Sequence, residues 1–246
     1  MKIKFYENCW NNIKFSDLDI DLSLFKIPHK KFYNELYKKF FIKYKSFKEL
    51  NKKYLRAKEN IANKILKIIG RNFTCLSIGC GIGIVENVLS KKTSNKIHAI
   101  DFAKSYKFIR SNKRIKILKN LKNKNKYDLI YVCQLLYSLD DEQIYNLSNS
   151  IKKKLKKNGI FLTIDTSIEN IYKNFNKLLF FKNFHLKFKR TIAPYYFSLF
   201  KKNIFQFYGY QRTNDEIIKI FEKNGFKISE VNTQDNQTYL LFKLNN

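Results

Sequence analysis

Between residues 72 and 166, short apolar runs alternate with stretches of helical spacing, and this alternation restricts the fold more than any other feature of the chain. Phe73-Thr74-Cys75-Leu76-Ser77-Ile78 reads as a buried strand. Further strands are expected at 96–101, 115–118, 127–133 and 159–165. Helices are expected over 84–90, 103–111 and 141–157, the last stopped by Asn158-Gly159. Alternation of this kind predicts a parallel sheet covered by helices on both faces. The tail differs. Thr213-Asn214-Asp215-Glu216 has capping-box chemistry and opens a helix that ends at Asn224-Gly225. The runs 226–231 and 238–244 are joined by a polar turn too short for a parallel crossover, so they pair antiparallel. The expected class is α/β: a doubly wound, mostly parallel seven-stranded sheet with an antiparallel last strand.

Two further segments frame this sheet. Residues 1–70 read as a basic, helical N-terminal cap. In its second half Phe32, Leu36, Phe40, Tyr44, Tyr54, Ile61, Ile65 and Ile68 recur at helical spacings. Residues 71–246 form the main domain, which includes an insertion at 167–212. That insertion holds 14 Phe or Tyr, and nine Lys or Arg against one acid, Glu169. It is expected to act as a lid. Its polar-tipped aromatics Tyr195, Tyr196, Tyr208 and Tyr210 are candidate substrate contacts, because a phenol can pair a buried hydroxyl with a ligand.

The chain has only seven glycines, and three of them fall in Gly79-Cys80-Gly81-Ile82-Gly83, after the first strand of the sheet and before a helix. Glycine there permits a tight turn and close approach of a ligand to the backbone. The helix beyond it presents unpaired N–H groups. A dinucleotide fingerprint would need glycine where Ile84 stands, and the Gly-Lys-Ser/Thr of a P-loop is missing. The pattern resembles motif I of class I S-adenosylmethionine (SAM)-dependent methyltransferases. Asp101, ending the second strand, matches the acid that this family sets on the ribose hydroxyls. A carboxylate can accept from two vicinal hydroxyls at once. Tyr127-Asp128-Leu129-Ile130 resembles the family's entry to the fourth strand, and Lys154 to Gly159 its helix-to-strand link.

The resemblance covers residues 54–166 and 206–244. It implies SAM as cofactor, held by Gly79, Cys80, Gly81, Gly83, Asp101 and Phe102. Cys133 and Gln134 would line its methionine end. Asn120 and Leu121 would meet the adenine, with Asn120 standing where the family usually has Asp. In the N-terminal helices, Tyr54 and Arg56 are candidates for the SAM carboxylate.

A formal charge of +29 invites a nucleic-acid reading. However, 43 lysines against six arginines, spread along the chain beside 28 asparagines, describe a general compositional bias. Surfaces that read bases rely on the planar fork of arginine, so no specific nucleic-acid partner is expected. No apolar run reaches 18 residues, so no membrane insertion is expected. Met1 to Asn8 lacks the apolar centre of a secretion signal, and the four cysteines form no CxxC. A cytoplasmic location is expected. Three scattered histidines and no clustered carboxylates suggest no metal.

The expected activity is methyl transfer to an oxygen (or nitrogen) of a small anionic molecule bearing phosphate or sugar. A precursor of bacterial surface polysaccharide (capsule) is the target class by analogy of fold. Tyr137 and His185 are the candidate catalytic residues. Arg212, one of six arginines, is expected to grip an acceptor anion bidentately. Two alternatives stand beside this reading. One is a tRNA or rRNA methyltransferase, although Cys133-Gln134-Leu135-Leu136 lacks the N/D-P-P-Y/F motif of amino-methylating enzymes. The other is a non-catalytic partner subunit of the same fold, against which the intact glycines and Asp101 argue.

Overall fold

The computed structural model describes residues 2–70, 72–122, 124–166, 188–200, 203–234 and 237–245. Its N-terminal part opens with strands: β1 (Ile3–Glu7), β2 (Cys9–Trp10) and β3 (Ile13–Lys14). Lys2-Ile3-Lys4-Phe5 alternates polar and apolar side chains, the period of a strand. Asn11 and Asn12, with φ of 46° and 57°, make the two-residue turn between β2 and β3. Helix begins only at α1 (Lys30–Lys43) and resumes in α2 (Lys52–Ile68), which corrects the expectation of helix throughout 1–70. One face of α1 buries Phe32, Leu36 and Phe40, and α2 buries Ile61, Ala62 and Ile65.

The main domain runs β4 (Thr74–Ile78), α3 (Ile84–Lys92), β5 (Lys96–Ile100), β6 (Ile115–Ile117), β7 (Tyr127–Cys133), α4 (Asp141–Lys154) and β8 (Leu155–Asp165). After it come α5 (Ala193–Leu199), β9 (Gln206–Gln211), α6 (Asn214–Glu222), β10 (Phe226–Gln234) and β11 (Gln237–Leu244). Seven strands form one sheet in the order β6-β5-β4-β7-β8-β11-β10. Those from β6 to β8 are parallel, and β11 is antiparallel to both of its neighbours. This is the expected seven-stranded, mostly parallel sheet. Side chains alternate across it, as the pleat requires. Cys75, Tyr131, Leu162 and Ile164 meet α2 and α3 on one face. Leu76, Ile130, Phe161 and Phe242 meet α4 and α6 on the other.

Two expected boundaries move. The segment 103–111 forms only a 3₁₀ turn at Lys107–Ile109. There Asp101 takes the Ala103 N–H at 2.9 Å, a side-chain bond that competes with helix at the segment's start. Helix α4 ends at Lys154, and Leu155 already pairs with Tyr127. Asn158-Gly159 therefore lies inside β8. Lys156 is held to the strand edge by Asp128 at 2.8 Å. The capping box at Thr213 and Glu216 forms as expected, and Gly225, at φ 79°, follows α6.

The chain leaves β4 toward β5 on one side, while β7 lies on the other. Strand order reverses there, and a crevice opens at the carboxyl edge. The N-terminal part closes over this crevice. Strand β1 pairs with β9, and Phe15, Phe32 and Leu36 pack with Ile82, Ile84, Ala103 and Tyr208. No described helix is long and apolar enough to cross a membrane.

Candidate functional site

The turn after β4 is built by three left-handed glycines: Gly79, Gly81 and Gly83 have φ of 74°, 53° and 80°. Its first two N–H groups, of Gly79 and Cys80, donate to Ile100 O of β5 at 2.8 and 3.2 Å. Gly83 then caps α3. At Gly81 a Cβ would reach into the crevice to 3.4 Å from Tyr37 Oη. Glycine keeps that strip of backbone open to a ligand. Asp101, just past β5, accepts Gly81 N–H at 2.8 Å through Oδ2 and Ala103 N–H at 2.9 Å through Oδ1. Burial raises its carboxyl above the ordinary value, and those N–H groups oppose the rise. Glycine turn and acid thus form one unit, and Asp101 lines the cavity.

The cavity beside this turn collects most of the expected cofactor residues. Gly79, Cys80, Gly81, Asp101 and Phe102 line one side, and Cys133 and Gln134, from the end of β7, line another. Tyr54, Tyr137 and Tyr208 complete the wall, together with Trp10, Tyr33 and Tyr37 from the N-terminal part. Gly83 does not line it; its place is the cap of α3. Gln134 sits at φ 54°, an uncommon conformation for a residue with a side chain. Tyr137 and Tyr208 stack with ring centroids 5.6 Å apart. Burial pushes the Tyr137 phenol up to about 12, which keeps it protonated near neutral pH.

Other expected site residues lie elsewhere. Arg56 is exposed, because Tyr54 and the residue four later share a helix face while the one two later points away. Asn120 is exposed, and its Oδ1 is taken by Lys122 N–H at 2.9 Å. Leu121 packs against the α4 side of the core. Tyr195 and Tyr196 are exposed, and Tyr195 Oη meets Tyr6 Oη at 2.5 Å. Tyr210 lies under Lys2 and Arg212. His185 is outside the described residues.

Arg212 is the clearest correction. It is 4% exposed, and its guanidinium donates to Leu136 O at 3.0 Å, to Leu139 O at 2.7 Å, and to Asp141 Oδ1 at 3.1 and 2.8 Å. These bonds occupy the fork that was expected to hold an anion. It ties β9 to the loop after β7 and to the start of α4. Arg212→Leu should therefore lower stability by about 2–4 kcal/mol, because two buried carbonyls lose their donors. A denaturant midpoint equal to that of the parent protein would show that the guanidinium holds nothing together.

Sequence reasoning passed over three charged residues here: two line the cavity, and the third lies at the same carboxyl edge of the sheet. Lys58 lies one turn after Tyr54 on the inner face of α2 and lines the cavity. The spacing of four from Tyr54 was its signal. Glu86, in the first turn of α3, also lines it and is 2% exposed. From sequence, an acid there reads as a helix-dipole partner on the surface. Asp165 ends β8 as Asp101 follows β5. It is 7% exposed, and neither carboxyl oxygen has a hydrogen-bond partner among the described residues. Among the described residues no cluster of His, Cys, Asp or Glu could hold a metal ion.

A sheet of this order, with a glycine turn and an acid at the reversal of strand order, defines the class I architecture of SAM-dependent methyltransferases. The chain belongs to the methyltransferase-domain family, whose model matches residues 44–231. Solved structures agree on the fold. Magnesium protoporphyrin IX methyltransferase (ChlM) from Synechocystis PCC 6803 with bound SAH superposes with a TM-score of 0.58 at 11% identity, over 88% of this chain and 97% of that one. The pyocyanin biosynthetic protein PhzM gives 0.57 at 13% identity, over 74% of this chain and 54% of that one. Mitomycin 7-O-methyltransferase MmcR gives 0.55 at 13% identity, over 76% and 54%. The chain thus matches only about half the length of PhzM and MmcR. Comparison with curated proteins yields no match.

The residues present fit the cofactor. Glycines leave the backbone open, Asp101 offers paired oxygens for vicinal hydroxyls, and aromatic walls suit a purine. The cofactor is SAM.

Proposed function

We propose that the protein methylates a hydroxyl oxygen of a small anionic metabolite bearing phosphate or sugar, with surface-polysaccharide precursors as the first acceptors to try. The observation that carries this reading is Asp165, a buried carboxylate at the carboxyl edge with both oxygens unpartnered among the described residues. Its charge acts on Cys133 and Tyr137, both in the cavity wall. Burial raises its pKa to about 8, opposed by Lys58 and Arg212. A group poised near working pH suits a general base. When bound, SAM supplies an electrophilic methyl on its sulfonium. Asp165 takes the proton of the acceptor hydroxyl. That would leave on the acceptor oxygen the electron pair that forms the new C–O bond, with the pair of the methyl–sulfur bond going to the cofactor's sulfur. Tyr137 and Tyr208 orient the acceptor, and aromatic side chains from residues 1–70 keep water out.

Residues 1–70 serve as a cap and 167–212 as a lid in this proposal, within a protein of the cytoplasm. MmcR, an O-methyltransferase by its name, supplies analogy of fold only. The test is transfer of label from methyl-labelled SAM into a small-molecule extract and, separately, into total RNA. Label is expected in the small-molecule arm, on oxygen. Label confined to RNA would replace this reading with the tRNA or rRNA alternative.

A further inference from the structure

The cavity wall holds an acid and a base, Glu86 and Lys58, that feel each other's charge without touching. Glu86 Oε1 accepts from Ser77 Oγ of β4 at 2.6 Å and from Tyr131 Oη of β7 at 2.9 Å. Its second oxygen, Oε2, is buried and has no hydrogen-bond partner among the described residues. A buried acceptor left without a donor costs about 1–3 kcal/mol, and more when charged. Lys58 Nζ donates to Gln134 Oε1 at 2.5 Å and lies 3.7 Å from Cys133 Sγ. Both side chains line the cavity, and no ion pair joins them among the described residues.

A pair that served only to hold α2 against α3 would gain most by contact. With no ion pair between them and each group satisfied on one side only, the two match a ligand that carries both signs itself. The sheet also sets the direction of that ligand. Asp101 follows β5 and marks the ribose. Glu86 and Lys58 are braced by β4 and β7, on the opposite side of the glycine turn. From one to the other runs the line from nucleoside to amino-acid end.

Resting on the assignment of SAM to this cavity, we propose that Glu86 receives the α-ammonium and Lys58 the α-carboxylate of the cofactor's amino-acid end. Together they make the site selective for the complete zwitterionic side chain over the bare thioether nucleoside. Arg56, expected from sequence to meet the carboxylate, yields that place to Lys58. Cation and anion each then have a partner of opposite sign, with charge-assisted bonds in a site shielded from water.

Calorimetry with two probes tests this. S-adenosylhomocysteine carries the amino-acid end, and 5′-methylthioadenosine lacks it. The parent protein should bind the first at least about 100-fold more tightly. Glu86→Gln and Lys58→Met should each weaken S-adenosylhomocysteine at least about tenfold and leave 5′-methylthioadenosine within about threefold. Glu86→Gln keeps an oxygen for Ser77 and Tyr131, so without ligand it should melt no lower than the parent. A purely structural role would lower that melting temperature and weaken both probes together, and that result overturns the proposal. So does unchanged S-adenosylhomocysteine affinity in both folded variants. Asp101→Asn separates the two readings: it should weaken both probes. If Asp101→Asn does so while Glu86→Gln and Lys58→Met do nothing, the cofactor assignment stands and this inference alone falls.

Discussion

Gly209→Ala should cost the fold about 3 kcal/mol or more and should disorder the tyrosine wall of the cavity. Gly209 lies in β9 at φ 154°, where L side chains are strained. A Cβ there would come within 2.8 Å of the Tyr137 carbonyl carbon and closer still to its oxygen. Both atoms are backbone, so no side chain can turn aside. The neighbouring strand offers no relief, because Phe5 of β1 faces Gly209 and packs on both Tyr137 and Tyr208. The strain must move β9, and with it the stacked pair Tyr137 and Tyr208. Urea denaturation should show the midpoint falling, and S-adenosylhomocysteine should restore part of the loss by mass action. An unchanged midpoint would mean that β9 has slack at this position.

That contact could not be read from the sequence. Their phenol tips marked Tyr208 and Tyr210 as candidate substrate contacts, and Tyr208 does line the cavity. Nothing local said that β9 would pair with β1 across about two hundred residues. The sheet itself was legible because its strands are continuous apolar runs, and burial on both faces demands such runs. The glycine turn and Asp101 were legible because backbone conformation and a strand-end acid leave marks on single positions. Arg212 was misjudged for a physical reason. Rarity suggested a ligand for its fork, but the carbonyls of Leu136 and Leu139 were already waiting, and backbone acceptors have no signature in a sequence. Lys58 and Asp165 were hidden by composition, one lysine among 43 and one acid at a strand end where another had been noticed. What distinguishes them is burial, which exists only once α2 and β8 are packed.

Asp165→Asn should therefore have effects of opposite sign on stability and on turnover. The Asp165 carboxyl is raised from 3.8 to about 8, with burial as the leading cause. Folded protein thus holds a proton that the unfolded chain gives up at lower pH. The contribution of Asp165 to stability is whole below the unfolded value, falls as pH rises from there, and is fully lost above about 8. Each unit of such a shift corresponds to about 1.4 kcal/mol. Asparagine has nothing to ionise. The Asp165→Asn protein should melt well above the parent at about pH 9, with the gap shrinking toward about pH 5. A melting difference equal at both pH values would show that Asp165 ionises like an exposed carboxylate, and its role as base would go with it. Catalysis should move the other way. Transfer to a hydroxyl acceptor should rise with pH through about 8 in the parent, as the base form appears. In Asp165→Asn it should be flat and lower by about 10²–10⁴-fold, the usual worth of a general base. S-adenosylhomocysteine affinity should stay within about threefold, because Glu86, Lys58 and Asp101 are untouched. A carboxylate kept at such expense to the fold is what a site retains for chemistry that packing alone would discard.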